Sequence, residues 1–284
     1  MIVTDSHAHV ISRDRHRYPL TPLGGTAPEW LEARGMDTDD LQRRMDAAGV
    51  GRAVLVQYGA AHGYDNRYVL DSAMCHSQRF VAVCGLDSRA DDVAYQFTHS
   101  VALGAAGVRI RAPDRGSTLD WLKSETVWRC AAELGVPLAV HLMPHHHVAG
   151  IALIGEHLRR FPGVRVVLDH VGNPPWRAEA ADLGLGGLVP LSERRNVVVK
   201  FSTVNLNRLE ASDVDAGAAL SRLVTLFGAD RLMWGSDAPN SPGDYTHMLQ
   251  RMSAAIQELS SADQASILGR TAARVYPNLE GGPD

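Results

Sequence analysis

Eight short apolar runs, separated by stretches of helical periodicity, constrain the fold of this 284-residue chain more than any other feature. They lie at 2–9, 52–57, 80–86, 107–111, 136–142, 164–170, 196–202 and 231–237. Most are near-continuous in Val, Leu, Ile and Ala rather than alternating. Such runs mark strands buried on both faces, the condition of a parallel sheet. Amphipathic helices are expected between them, over 39–48, 65–77, 94–103, 119–134 and 148–160, with Gly135 as a C-terminal cap. Eight strands about 25–35 residues apart, each followed by a helix, form a (β/α)8 barrel, and about 250 residues is its usual size. A doubly wound open sheet would need a GxGxxG turn after a strand, and Gly24-Gly25, Gly186-Gly187 and Gly281-Gly282 do not supply one. Nothing divides two cores, so residues 1–284 are read as one domain. The long Pro- and Gly-containing segment 11–38 is expected to be irregular, and either to cover the site as a lid or to be a surface excursion packed by Trp30 and Leu31.

Composition narrows the function classes. A formal charge of −4 and the absence of basic runs give no reason to expect nucleic acid or a membrane surface as partner. No apolar stretch approaches the roughly 18–20 residues of a membrane span. Three cysteines, Cys75, Cys84 and Cys130, follow no pairing or zinc pattern and read as reduced thiols. The first strand starts at once, leaving no room for a signal peptide, so the cytoplasm is the expected address. A small molecule is the expected partner, and self-association into a homo-oligomer stays open.

Polar residues late in these runs identify the site. In such barrels active sites lie at the C-terminal ends of the strands. There the chain places His7 and His9 on strand one, His141 on strand five, His170 on strand six and Asp237 on strand eight. Alternation would send Asp5, His7 and His9 to one side. Any single strand-end histidine could be a hydrogen-bonded core residue, but five such groups at one rim call for chemistry. Imidazoles and a carboxylate suit a borderline divalent cation such as zinc.

This set, HxH on strand one, His on strands five and six and Asp on strand eight, resembles the amidohydrolase superfamily along nearly the whole chain. The strings Leu168-Asp169-His170-Val171-Gly172-Asn173-Pro174, Val199-Lys200-Phe201-Ser202, Met233-Trp234-Gly235-Ser236-Asp237 and Thr271-Ala272-Ala273-Arg274-Val275-Tyr276 are similar to its amidohydrolase-related branch. That branch holds sugar-acid lactonases and the 2-pyrone-4,6-dicarboxylate and sulfomuconolactone hydrolases. His62-Gly63-Tyr64-Asp65-Asn66 is similar to a loop of the pyrone dicarboxylate lactonases. The resemblance implies His7, His9, His141 and Asp237 as ligands of one divalent metal, zinc by first choice, and His170 as a catalytic histidine outside the ligand set. Strand four, ending Arg109-Ile110-Arg111, offers no Lys or Glu to bridge two metals. Some members of the branch work without metal, and the histidines would then polarise the substrate carbonyl.

The expected reaction is hydrolysis of a small anionic lactone, with Asp237 as base under either version. Arg109, Arg111, Arg115, Arg177 and Lys200 are candidate partners for the substrate's negative charge, and His62 and Trp176 candidate wall residues. Ordinary ion pairing is the alternative for each cation. The competing functions are a metal-dependent decarboxylase of the aminocarboxymuconate type and a non-catalytic binding barrel. His145-His146-His147 is read as part of the mouth loop.

Overall fold

The computed structural model describes residues 2–114 and 116–279. Eight parallel strands run in the order β1 to β8: Val3–Ala8, Val50–Val56, Phe80–Gly85, Ala105–Arg111, Leu138–His141, Val166–Leu168, Val197–Ser202 and Leu232–Gly235. Each pairs with the next in sequence. The ring closes where the ends of β8 and β1 meet, through Asp237 N–H to the His7 carbonyl (2.7 Å) and His9 N–H to the Ala238 carbonyl (2.8 Å). The chain is thus a (β/α)8 barrel, as its buried runs require. No helix among the described residues is long and apolar enough to cross a membrane.

Alternation divides each strand between two cores. One face packs on the surrounding helices, with Leu55, Ile110, Val140, Leu168 and Trp234 all buried there. The other fills the barrel with Val54, Val56, Val81, Val83, Ala139, Val167, Val198 and Met233, plugged by Tyr276 from the C-terminal segment. Two residues further along, the inward positions become His141 (from Ala139), Asp169 (from Val167) and Lys200 (from Val198), so a polar layer sits directly above these side chains.

Local signals set the helix ends. Asp37 caps Thr38–Ala48 through a capping box with Asp40, and Gly49 ends it at φ 71°. Gly135 closes Glu125–Leu134 at φ 66°, as its sequence position predicts. The expected helix 119–134 breaks in two, because Ser124 starts a new helix after a single turn at Leu119–Leu122. Between β6 and β7 only the short helix Val189–Ser192 and neighbouring turns form.

The segment 11–38 is mostly irregular, with one four-residue helix, Leu31–Arg34. It is pinned by Thr21 N–H to Ala61 O and Leu23 N–H to Gly59 O, both 2.8 Å. From these anchors Leu23, Gly24, Thr26, Pro28 and Trp30 reach over the mouth of the barrel and form one wall of its cavity.

Candidate active site

Strand β1 carries a bulge that re-aims its side chains. Its register against β2 shifts between Asp5 and Ala8. The strict alternation expected for Asp5, His7 and His9 therefore fails at Asp5. That carboxylate accepts from His7 N–H and Ser236 N–H (2.9 Å each) and from Tyr245 Oη (2.9 Å), on the helix Tyr245–Ala255. His7 and His9 turn instead towards Asp237.

Asp237 is the centre of the arrangement. It is 1% exposed, and its two oxygens do different work. Oδ2 accepts from Asn240 Nδ2 (2.7 Å) and Ser241 Oγ (2.9 Å). Oδ1 faces His9 Nε2 at 3.3 Å, His7 Nε2 at 3.7 Å and His170 Nε2 at 3.8 Å. Burial pushes this carboxyl up, but the three histidines outweigh burial and hold it well below the usual carboxylate range. It is ionised at neutral pH.

The far nitrogen of each imidazole decides what the near one offers. His9 Nδ1 lies 2.7 Å from the Val56 carbonyl, which can only accept, so Nδ1 carries a proton, and in the neutral ring Nε2 is bare. His170 Nδ1 lies 2.6 Å from Ser202 Oγ, and when it donates there, with the hydroxyl turned to Asn205 Oδ1 (3.4 Å), its Nε2 is bare as well. His141 is the reverse. Arg109 Nη2 donates to its Nδ1 at 2.6 Å, which places the proton on Nε2 and makes His141 a donor into the cavity. Burial pushes the His170 imidazole down to about 4, and drives His7 and His141 well below their usual value.

Backbone strain gathers here. His170 (φ 52°), Val171 (φ 59°), Asn173 (φ 55°) and Asp237 (φ 56°) are all left-handed without being glycine. For a β-branched residue such as Val171 that conformation is costly, and strain of this kind collects at functional sites. The His170 turn is over-determined from several sides. Asn205 Nδ2 donates to the His170 carbonyl (2.9 Å), and His147 Nδ1 to the Gly172 carbonyl (2.8 Å).

Beneath the rim lies the layer of buried charge. Asp169, fully buried, binds Arg109 Nε at 2.8 Å through Oδ2, while its Oδ1 is 3.4 Å from both Lys200 Nζ and His7 Nδ1. Burial would raise the Asp169 carboxyl, but Lys200, His7 and Arg109 together hold it well below its usual range.

Above the rim is a cavity of about 640 Å3 walled by His9, His141, His170 and Asp237, with Arg109 and Arg111 on the strand-four side. Of the other residues singled out in the sequence, four lie off its walls. Lys200 is in the layer below, His62 anchors the segment 11–38 by bonding Pro19 O and Ser12 N–H, Trp176 is packed in the outer core, and Arg177 is exposed. Arg115 lies outside the described residues. His146 bonds the Ser117 carbonyl (2.8 Å) and His147 supports the His170 turn, so neither points to Asp237.

Several wall residues were not anticipated. Arg208, on the helix Thr203–Ala211, lines the same cavity as Arg111 and donates to Asn173 Oδ1 (2.6 Å). Tyr58 donates to Asn240 Oδ1 (2.9 Å), and so steadies the group that holds Asp237 Oδ2. Arg208 and Arg111 have no carboxylate partner among the described residues; burial pushes Arg208 below its usual value and Arg111 down to about 10.

The donor set fits one divalent cation. In these tautomers two imidazole nitrogens and an ionised oxygen turn lone pairs to one focus, which is unfavourable unless a proton on His7 Nε2 or a cation lies there. His7 Nε2 is buried there without a hydrogen-bond partner. One donor atom each from His7, His170 and Asp237 lies within 4.8 Å of the others. Around a tetrahedral zinc, ligands about 3.3 Å apart are expected, close to the separations of 3.3–3.8 Å from Asp237 Oδ1 to the three histidines. His141, expected as a ligand, has its proton directed to Nε2 by Arg109, whereas His170, expected outside the ligand set, faces the focus.

Known proteins place this geometry in a family. A family model described as amidohydrolase matches residues 4–277. The L-fucono-1,5-lactonase of Burkholderia ambifaria is 28% identical over 289 residues, covering 96% of this chain and 94% of that protein. A Pseudomonas putida protein provisionally named a 2-pyrone-4,6-dicarboxylic acid hydrolase is 26% identical, with a TM-score of 0.77 over 98% of both chains. A Burkholderia multivorans amidohydrolase solved with bound zinc is 24% identical, TM-score 0.75, over 98% of this chain and 99% of that one. Decarboxylases share the barrel at 16% identity. The barrel, the histidine-ringed aspartate and the match over almost the full chain identify this protein as a member of the amidohydrolase family.

Proposed function

We propose that the chain hydrolyses a small lactone bearing a negative charge. The observation that carries this reading is a single ionised carboxylate oxygen, Asp237 Oδ1, ringed by imidazoles under a cavity whose walls hold Arg111 and Arg208, cations with no carboxylate partner among the described residues. Similarity to an L-fucono-1,5-lactonase and to a provisional pyrone dicarboxylate hydrolase supports a cyclic ester as substrate.

Arg111 and Arg208 bind the anionic substituent and orient the ring, with Asn173 fixing the Arg208 fork. The ester carbonyl then points at His141, whose Nε2–H donates to the oxygen as negative charge develops on it. Water attacks the carbonyl carbon, forming one C–O bond. Asp237 takes the water's proton and returns it to the ring oxygen as the second C–O bond breaks. A carboxylate held below its usual range is a weak base, so the water needs acidifying. A divalent cation held by His7, His170 and Asp237 with His9, zinc being the ion of choice for such donors, would supply that Lewis acidity. Asn240 and Ser241 fix the second oxygen of Asp237, so that Oδ1 alone meets the proton. The lid residues Trp30 and Pro28 keep bulk water out of the cavity.

The test is product analysis on a panel of 1,4- and 1,5-sugar-acid lactones and carboxylated pyrones. Ring opening with release of one acid equivalent is expected, fastest for carboxylated members. Carbon dioxide release would replace this reading with the decarboxylase, and no turnover across the panel would remove it.

A further inference from the structure

His7 is the imidazole of the cluster whose Nδ1 stands between two charged partners. Its Nδ1 faces two groups of opposite demand: the Lys200 ammonium, a donor, at 3.3 Å, and Asp169 Oδ1, an acceptor, at 3.4 Å. Lys200 is itself 3.4 Å from the same Asp169 oxygen, so the three atoms form a nearly equilateral triangle, fully buried. A neutral imidazole has one N–H. Donation from Lys200 to Nδ1 forces the proton onto Nε2, whereas donation from Nδ1 to Asp169 leaves Nε2 bare.

The two outcomes suit different states of the cluster. As neutral rings, His9 presents a bare nitrogen to Asp237 Oδ1 because Val56 takes its Nδ1 proton, and His170 does so when its Nδ1 donates to Ser202. Without a cation, a proton on His7 Nε2 is the one hydrogen that can lie between these lone pairs. A cation needs the opposite tautomer, with the His7 proton on Asp169 in the usual carboxylate–histidine–metal relay. Lys200 hydrogen-bonds His7 Nδ1, and its remaining hydrogens are available to turn to Asp169 Oδ1 at 3.4 Å, which has no other hydrogen-bond partner among the described residues.

We propose that Lys200 is a positioning residue that holds His7 with its proton on Nε2, and thereby opposes metal loading that Asp169 favours. Lys200 is thus no part of the substrate's anion clamp. It adjusts the site from below, through the tautomer of one ligand. The inference deepens the metal reading above and rests on it for its metal-binding consequence, but the tautomer itself does not.

The experiment records the ring 15N resonances of chelator-treated enzyme at neutral pH, with His7 assigned by its loss in a His7→Gln variant. Wild type is expected to show a protonated Nε2 and a bare Nδ1 at His7, and Lys200→Met the reverse. A protonated Nδ1 in wild type overturns the proposal, and this measurement decides even if Lys200→Met fails to fold. Zinc affinity by competition with a chelating indicator is expected to be at least tenfold tighter in Lys200→Met. Equal or weaker binding in the variant overturns the proposed opposition. If neither protein takes zinc, the metal reading fails while the ring spectra still decide the tautomer.

Discussion

Replacing Asp169 with Asn tests whether the buried charge layer is held by one carboxylate. The residue is fully buried, with Arg109 at 2.8 Å on one oxygen and Lys200 at 3.4 Å from the other. Asn keeps the shape and removes the charge, leaving two buried cations without a counter-ion. Removing one partner of a buried ion pair costs about 3–5 kcal/mol, because the remaining charge is left desolvated. At roughly 2–4 °C of melting temperature per kcal/mol for a large domain, the variant should melt about 6–20 °C below wild type. Urea unfolding, followed through the buried Trp128 and Trp234, gives the free energy directly. The double variant Asp169→Asn/Lys200→Met should recover part of the loss, since one unpaired cation is removed with the anion. A coupling of about 0.5–3 kcal/mol is expected for groups in one network. An Asp169→Asn protein within 1 kcal/mol of wild type would refute the view that this carboxylate neutralises the layer.

Other predictions follow from single contacts. Arg208→Met should raise KM for an anionic lactone roughly tenfold or more, as loss of a charged hydrogen bond worth about 1.5–3 kcal/mol implies, while a neutral lactone is little affected; equal losses for both would exclude a role in charge recognition. His157 is stacked on Trp128 at 4.6 Å with both ring nitrogens unpartnered, and its imidazole is pushed below the usual value by burial first and by Arg160 second. Its neutral form is therefore the folded one: the stability it contributes is complete above pH 6.5 and is lost as pH falls through its lowered folded value. His157→Phe should flatten that part of the urea-midpoint profile between pH 7 and pH 5, and an unchanged slope would contradict the assignment. Trp30→Ala should raise KM and leave the unfolding midpoint nearly unchanged, since this half-buried ring covers the cavity and lies 5.8 Å from Tyr58; a large loss of stability would make it a core residue instead.

Much of the fold was legible because a strand buried on both faces writes a continuous apolar run, and eight of these leave few architectures open. Strand ends were less legible. The expected strand 164–170 shortens to Val166–Leu168, because the chain turns left-handed at His170, a backbone choice that nothing in a run of Val and Leu announces. The rim histidines and Asp237 could be found, since a polar group late in an apolar run is conspicuous. Depth along the strand was not. Lys200 precedes the end of β7 by two residues, which places its side chain one layer below the cavity. Asp169 was visible only as the neighbour of His170, yet alternation sends it into the barrel, where it joins Arg109 to Lys200. Arg208, Tyr58 and Asn240 stand on a helix and loops whose polar residues look like any solvated face. Only the turn of the chain over the barrel mouth brings them to the site.

The central claim is that Asp237 Oδ1 moves the proton in ester hydrolysis. Its most direct test is the steady-state rate of acid release from an anionic lactone by wild type and Asp237→Asn, with the fold checked by circular dichroism. General base catalysis by a positioned side chain contributes about 10²–10⁴-fold, so kcat should fall by at least about two orders of magnitude. KM should change little, because the arginines that bind the anion are untouched. A variant that retains the wild-type kcat would contradict the account.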